Sequence, residues 1–350
     1  MVEEKKQETN KMGTEPVKKV LLSMGIPMIL SMVLQACYNI VDSMFVARIP
    51  DTNGITDAGE HAVHALTLAF PVQMLIVAFA IGTGVGVNAL LARTLGARDF
   101  KKVSRIAGNG IFLGLLIYVV FLIIGLLGIN VYLESQTADQ ITLSMGKTYL
   151  KICTYLCLGN IMFGIYEKLL QSTGRSVFST AAQIAGAVTN IVLDPVLIFG
   201  WGIFPQMGIA GAAWATVIGQ FVSMIVAGVL HHTKNKEVGF QFSYLKPKAS
   251  IIKEIYQIGL PAIIMQALMS FMTYGINLIF GAVSASAVTA YGIFYKIQQF
   301  LFFAGFGLRD AITPIVSFNY GMGKKKRVRQ GIRYGLLYTE IIMVAGIVVL

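Results

Sequence analysis

The chain alternates long, almost uncharged apolar stretches with short polar ones. Roughly 20 apolar residues in a helix cross the hydrocarbon core of a bilayer. Backbone polar groups in lipid must be satisfied within the segment, so each such stretch is read as a membrane-crossing helix. Nine spans are predicted, at 20–49, 62–92, 106–130, 140–166, 176–201, 207–231, 254–282, 287–318 and 332–350. Only 13% of the 350 residues are charged, about half the ~25% of a typical soluble domain. That density cannot clothe a water-facing surface of this size, so the fold class is an all-α, polytopic membrane protein. The polar residues 1–19 precede an apolar run too long for the core of a cleavable signal peptide.

The cations give the orientation. Lys5, Lys6, Lys11, Lys18 and Lys19 precede span 1; Arg93, Arg98, Lys101, Lys102 and Arg105 follow span 2; Lys168 and Arg175 follow span 4. Lys234, Lys236, Lys246, Lys248 and Lys253 follow span 6, and Lys324, Lys325, Lys326, Arg327, Arg329 and Arg333 follow span 8. The alternate connections hold Asp51, Asp57, Glu60, Glu134 and Asp139 with few cations. By the positive-inside rule the N-terminus and the even-numbered loops are cytoplasmic.

The chain also resembles itself. Gly25-Ile26-Pro27 overlays Gly259-Leu260-Pro261 at an offset of 234 residues. At an offset of 225, Ala65 meets Ala290, Gly82 meets Gly307, Gly96 meets Gly321, and Lys101-Lys102-Val103 meets Lys326-Arg327-Val328. Spans 1–3 thus match spans 7–9 in the same orientation, a parallel repeat of a six-helix unit of the kind found in secondary transporters. The expected organisation is a cytoplasmic tail at 1–19, a six-helix lobe at 20–231, a cytoplasmic inter-lobe loop at 232–253 and a three-helix second lobe at 254–350. On this reading nine of an expected twelve helices are present and the sequence is C-terminally truncated.

Three motifs carry a family resemblance: Gln35-Ala36-Cys37-Tyr38-Asn39-Ile40-Val41-Asp42, Ala92-Arg93-Thr94-Leu95-Gly96-Ala97, and Asn190-Ile191-Val192-Leu193-Asp194-Pro195. In their order and spacing they resemble the multidrug and toxic compound extrusion (MATE) transporters, in particular the bacterial DinF-like branch. The resemblance implies twelve helices in two lobes around a central cavity, and export of organic compounds in exchange for protons or sodium ions. It also implies proton-linked acids and polar neighbours at Asp42, Asp194, Asn190, Gln35 and Tyr38.

The residues themselves point the same way. Acids within a membrane span are costly and mark candidate sites. Asp42 and Asp194 each lie seven residues from the outer end of their span, roughly 10 Å at 1.5 Å per residue. Low dielectric penalises a charged carboxylate and a second acid penalises it further, so two facing acids would share one proton or one small cation. Asn190, four residues before Asp194, shares its helix face. Gln35, Tyr38 and Asp42 form a polar stripe that Asn39 flanks, a substrate-facing candidate. Pro195 would kink the helix by clashing with the Ile191 carbonyl and serve as a hinge. The plainer reading of Asp42 and Asp194 is as hydrogen-bonded packing acids. The repeat places Ile276 opposite Asp42, which concentrates coupling in the first lobe. Lys296 is the most interior cation of the second lobe and joins the substrate-binding candidates.

Other classes fit less well. Gly82-Thr83-Gly84-Val85-Gly86 lies inside a span with no preceding strand, so it reads as small-residue helix packing. No P-loop, His-Glu-x-x-His or Gly-x-Ser-x-Gly occurs, which argues against an ATP-driven pump and an enzyme. A lipid-linked saccharide flippase, the alternative, would need deep arginines that the first lobe lacks. Cys37, Cys153 and Cys157 sit in apolar segments and form no disulfide framework. The expected protein is a monomeric antiporter of the bacterial inner membrane that handles amphipathic or cationic organic compounds. It needs no cofactor or metal beyond a coupling ion, either H+ or Na+, for which Asp42 and Asp194 are the candidate site, and no nucleic-acid partner.

Overall fold

The structure is a computed structural model that describes residues 10–51, 56–239, 241–281 and 285–349. Side chains of most residues between 269 and 301 stand outside that description. Among the described residues the regular structure is entirely helical, as an apolar chain in lipid must be to satisfy its backbone. A short α1 (Lys11–Thr14) precedes α2 (Val17–Val46), α3 (Ala58–Gly96), α4 (Phe100–Gln136), α5 (Gln140–Tyr155) and α6 (Leu158–Ser172). Then come α7 (Ser176–Phe199), α8 (Ile209–Lys234), a 3-10 turn (Phe242–Leu245), α9 (Ala249–Gly281), α10 (Ala285–Gly321) and α11 (Lys325–Val349).

Each predicted span falls on one of these helices except the fourth, which is broken. α5 and α6 meet at 43°, and the Tyr155 carbonyl at the break accepts a hydrogen bond from the Tyr118 hydroxyl at 3.1 Å. A carbonyl freed at a bend in lipid needs such a donor, and Tyr118 supplies it. Among the described residues six helices are long and apolar enough to cross a bilayer, and the bent pair brings the number to seven. The nine spans predicted from hydropathy are therefore not reached on length and composition.

Helix packing is dominated by glycine, which lets backbones approach closely in lipid. A side chain at Gly82 of α3 would overlap Ile263 of α9. One at Gly307 of α10 would come within 2.7 Å of Ile29 of α2. Likewise a side chain at Gly96 would overlap the Phe318 carbonyl, and one at Gly321 the Arg93 carbonyl. These contacts are reciprocal. Ile29 and Ile263 are 234 residues apart, while the pairs Gly82 and Gly307, Gly96 and Gly321, and Arg93 and Phe318 are each 225 apart. The two offsets are those of the sequence repeat.

The largest apolar core gathers Met12, Val20, Leu21 and Met24 with Leu90, Leu91 and Leu95 of α3, Leu169 of α6 and Leu308, Ile315 and Phe318 of α10. A second cluster, near the other ends of the helices, joins Val46, Ala62, Ala65, Leu133, Leu150 and Ile198.

Candidate functional site

Asp42 of α2 and Asp194 of α7 are both buried, and their carboxyl groups lie within hydrogen-bonding reach of each other. Two carboxylate oxygens have no donor between them, so a hydrogen bond there requires a proton on one side. Asp42 Oδ1 and Asp194 Oδ2 are shielded from solvent and have no protein donor.

Sequence and packing both build this pair. Asn190 stands one turn before Asp194, and its Nδ2 donates to Asp194 Oδ1 at 3.4 Å and to Thr216 Oγ1 of α8 at 3.5 Å. α8 comes this close because it carries glycine where α7 crosses it. A side chain at Gly186 would overlap Ser223, and one at Gly219 would lie 3.1 Å from Asn190 Cβ. Tyr38, one turn before Asp42, is within electrostatic reach of both carboxyl groups. Pro195 is buried inside α7, which continues unbroken to Phe199.

Of the remaining candidates, Gln35 is half-buried on the same helix and Asn39 is exposed. Lys296 lies on α10, where its side chain falls outside the described residues. Cys37 is exposed, Cys153 and Cys157 are buried, and all three cysteines are free.

The structure adds neighbours that the sequence did not single out. Tyr149 and Cys153 of α5 are buried within electrostatic reach of Asp42, and Gln73 of α3 donates to the Tyr149 hydroxyl at 3.4 Å. Tyr149 and Cys153 are one helical turn apart, which is the only local signal they carry. Thr216 completes the wall opposite Asn190.

Lys168 is the larger surprise. Read as a loop cation that sets topology, it is 3% exposed, because α6 runs on to Ser172 and carries it inside. Its ammonium donates to Asp310 Oδ2 of α10 at 2.6 Å and to Gln171 Oε1 at 2.9 Å, with Glu167 3.9 Å away. Arg309 reaches the other oxygen of Asp310 at 3.1 Å. Gly84 makes room: a Cβ there would press on Lys168 Cγ at 2.9 Å. Of the three glycines in Gly82-Thr83-Gly84-Val85-Gly86, each receives a neighbouring helix, with Gly86 against the Ile255 carbonyl.

Bilayer-length helices around a pair of interior carboxyl groups define a polytopic membrane protein with a polar site inside it. The chain belongs to the MATE family of transporters: the MatE family model matches residues 27–196 and 261–350. Among curated proteins, it is 27% identical over 330 residues to the multidrug export protein MepA of Staphylococcus aureus strain MRSA252, covering 94% of this chain and 70% of that protein. MepA of Staphylococcus saprophyticus is 26% identical over 333 residues, covering 95% and 71%. Among solved structures, the outward-facing conformation of a multidrug resistance MATE family transporter of the MOP superfamily superposes with a TM-score of 0.88 at 24% identity, over 97% of this chain and 73% of that one. A MATE crystal structure in the bent conformation gives 0.84 at 25% identity, over 94% and 71%. The fold is thus that of MATE transporters.

Proposed function

We propose that this protein is an antiporter that exports amphipathic or cationic organic compounds from the cell in exchange for H+ or Na+. Two helical lobes, 20–231 and 254–350, would rock about a central cavity within a twelve-helix whole. The multidrug export activity named for the MepA relatives supports the substrate class. The reciprocal glycine contacts support the two-lobe reading, because a repeat related by a twofold axis packs each half on the other through equivalent residues.

The observation that carries the coupling is the buried Asp42 and Asp194 pair, with one oxygen on each that no protein donor satisfies. Such a pair takes up one proton, or one small cation, when its cavity faces the outside. Binding then favours one conformation by differential affinity, which is all that coupling requires. Asn190 orients Asp194, Pro195 gives α7 a hinge beside it, and Gln35, Tyr38, Asn39 and Lys296 line the substrate path. The protein would act as a monomer in the bacterial inner membrane, with its N-terminus and basic loops in the cytoplasm.

The test is to reconstitute the protein in proteoliposomes and follow efflux of a cationic dye under an imposed pH or sodium gradient. Gradient-driven efflux that Asp42→Asn and Asp194→Asn abolish is the expected result. Normal efflux by both variants would overturn the assignment.

A further inference from the structure

Residues 10–15 read as part of a polar tail, yet they are built into the molecule. Met12 is fully buried in the main core. On one side, Asn10 Nδ2 donates to the Thr173 carbonyl at 2.9 Å and to Glu237 at 3.1 Å, while its Oδ1 caps α1 by accepting from Met12 N at 3.0 Å. On the other side, α10 and α11 take the backbone. Asn319 Nδ2 and Arg327 Nη2 both donate to the Met12 carbonyl at 2.9 Å. Arg327 Nη2 also donates to the Glu15 carbonyl at 2.6 Å, and Lys324 Nζ to that of Gly13 at 3.1 Å. Arg327 is itself oriented by Asn319, whose Oδ1 accepts from its Nε at 2.8 Å. Gly13 has no room for a side chain, since a Cβ would lie 2.8 Å from Met322 Sδ and from the Phe318 ring.

The repeat shows what this segment corresponds to. Residues 10–15 stand 234 positions before 244–249, the end of the linker that enters α9. That linker is gripped by α4 in a comparable way. Asn109 Oδ1 accepts from Lys248 N at 2.8 Å, and Lys102, which is 225 positions before Arg327, pairs at 3.0 Å with Glu254 in the α9 helix that the linker enters. The linker is tied to the chain at both ends. Residues 10–15 run covalently into α2, whereas what joins them to α10 and α11 is hydrogen bonds and packing contacts. Such contacts can be released without rearranging a helix.

We propose that residues 10–15 are a clasp that holds the cytoplasmic ends of the two lobes together, anchored covalently to the first lobe and gripped by Asn319, Lys324 and Arg327 of the second. Opening of the cavity to the cytoplasm separates the start of α2 from the α10–α11 turn and so requires these hydrogen bonds to be given up. The clasp therefore favours the state closed to the cytoplasm. This rests on the two-lobe antiporter reading, but its test measures conformation and not transport.

A reporter cysteine at Ala311, fully buried on α10 where a Cβ at Gly25 would lie 3.8 Å away, is exposed to a membrane-impermeant maleimide in inside-out vesicles. Mass spectrometry scores it separately from Cys37, Cys153 and Cys157. Arg327→Met keeps the aliphatic stem and removes charge-assisted hydrogen bonds. It is expected to speed labelling of the reporter by at least about tenfold. Lys324→Met, which removes the bond to the Gly13 carbonyl from an exposed side chain and guards against misfolding of the first variant, is expected to speed it about fivefold. An unchanged rate in Lys324→Met, or in correctly folded Arg327→Met, would overturn the clasp. Loss of dye efflux in Asp42→Asn with normal reporter labelling would leave the two readings separable.

Discussion

Lys168 Nζ of α6 lies 2.6 Å from Asp310 Oδ2 of α10, with both side chains about 95% buried. The two residues are 142 positions apart and tie α6 to α10. Removing one partner of a buried pair leaves an uncompensated charge and costs about 3–5 kcal/mol, whereas an apolar pair of similar volume restores most of it. Asp310→Asn and Lys168→Met are each expected to lower the melting temperature of the detergent-solubilised protein sharply. The double variant Lys168→Met with Asp310→Leu should recover most of the loss. A double variant that is no more stable than the singles would show that the pair is not what holds these helices together.

The two carboxyl groups at Asp42 and Asp194 act as a unit if they share a proton or cation. Asp42→Asn, Asp194→Asn and the double variant should then all show the same residual gradient-driven efflux, because removing either acid already abolishes the shared site. Insertion should stay intact, as judged by membrane yield. Losses that multiply in the double variant would indicate two independent sites.

Glycine contacts differ sharply along the helices. A side chain at Gly96 or Gly321 meets a backbone carbonyl of the opposite helix, whereas one at Gly128 meets nothing within 4 Å. Gly96→Val and Gly321→Val must push α3 and α10 apart and should each cost more than about 3 kcal/mol, an effect of overpacking against backbone. Gly128→Ala should be neutral within about 1 kcal/mol. Thermal unfolding of the three variants decides it, and the reciprocal contacts require Gly96 and Gly321 to behave alike.

Asp139 caps α5 outside the membrane-spanning segments. The Thr142 hydroxyl, followed by the amides of Thr142 and Ile141 and the nearby His61, holds its carboxyl down at about 2, from an ordinary 3.8. Because the folded value lies below the unfolded one, its stabilisation is complete above pH ~4 and is lost as the pH falls towards 2. Hydrogen exchange at the start of α5 should therefore be faster in Asp139→Asn than in the unaltered protein near neutral pH. The difference should shrink as the pH drops below 4. A difference that stays constant to pH 2.5 would contradict the ionised cap.

Much of the architecture was legible in the sequence because hydropathy is additive along a chain. A helix in lipid satisfies its own backbone, so length and charge locate it without knowledge of neighbours. Asp42, Asp194 and Asn190 were legible for the same reason: an acid in an apolar run is conspicuous, and a four-residue spacing fixes a shared face. The offsets of 234 and 225 also stood in the sequence, and the glycines at Gly82, Gly96, Gly307 and Gly321 are among the residues through which the two halves touch. The break at Leu156 and Cys157 was hidden, since both residues are apolar and neither is a helix breaker.

What the chain determined alone was its solvent: lipid, by the length and low charge of its spans, and with it an all-helical fold. What only the tertiary structure decided was partnership. Lys168 is a loop cation by position, and Asp310 settles that it is a buried one. Residues 10–15 are a polar tail by composition, and Asn319 and Arg327, more than 300 residues away, make them part of the core. Hydropathy acts locally, whereas a buried charge or carbonyl is satisfied by whichever donor the fold brings to it.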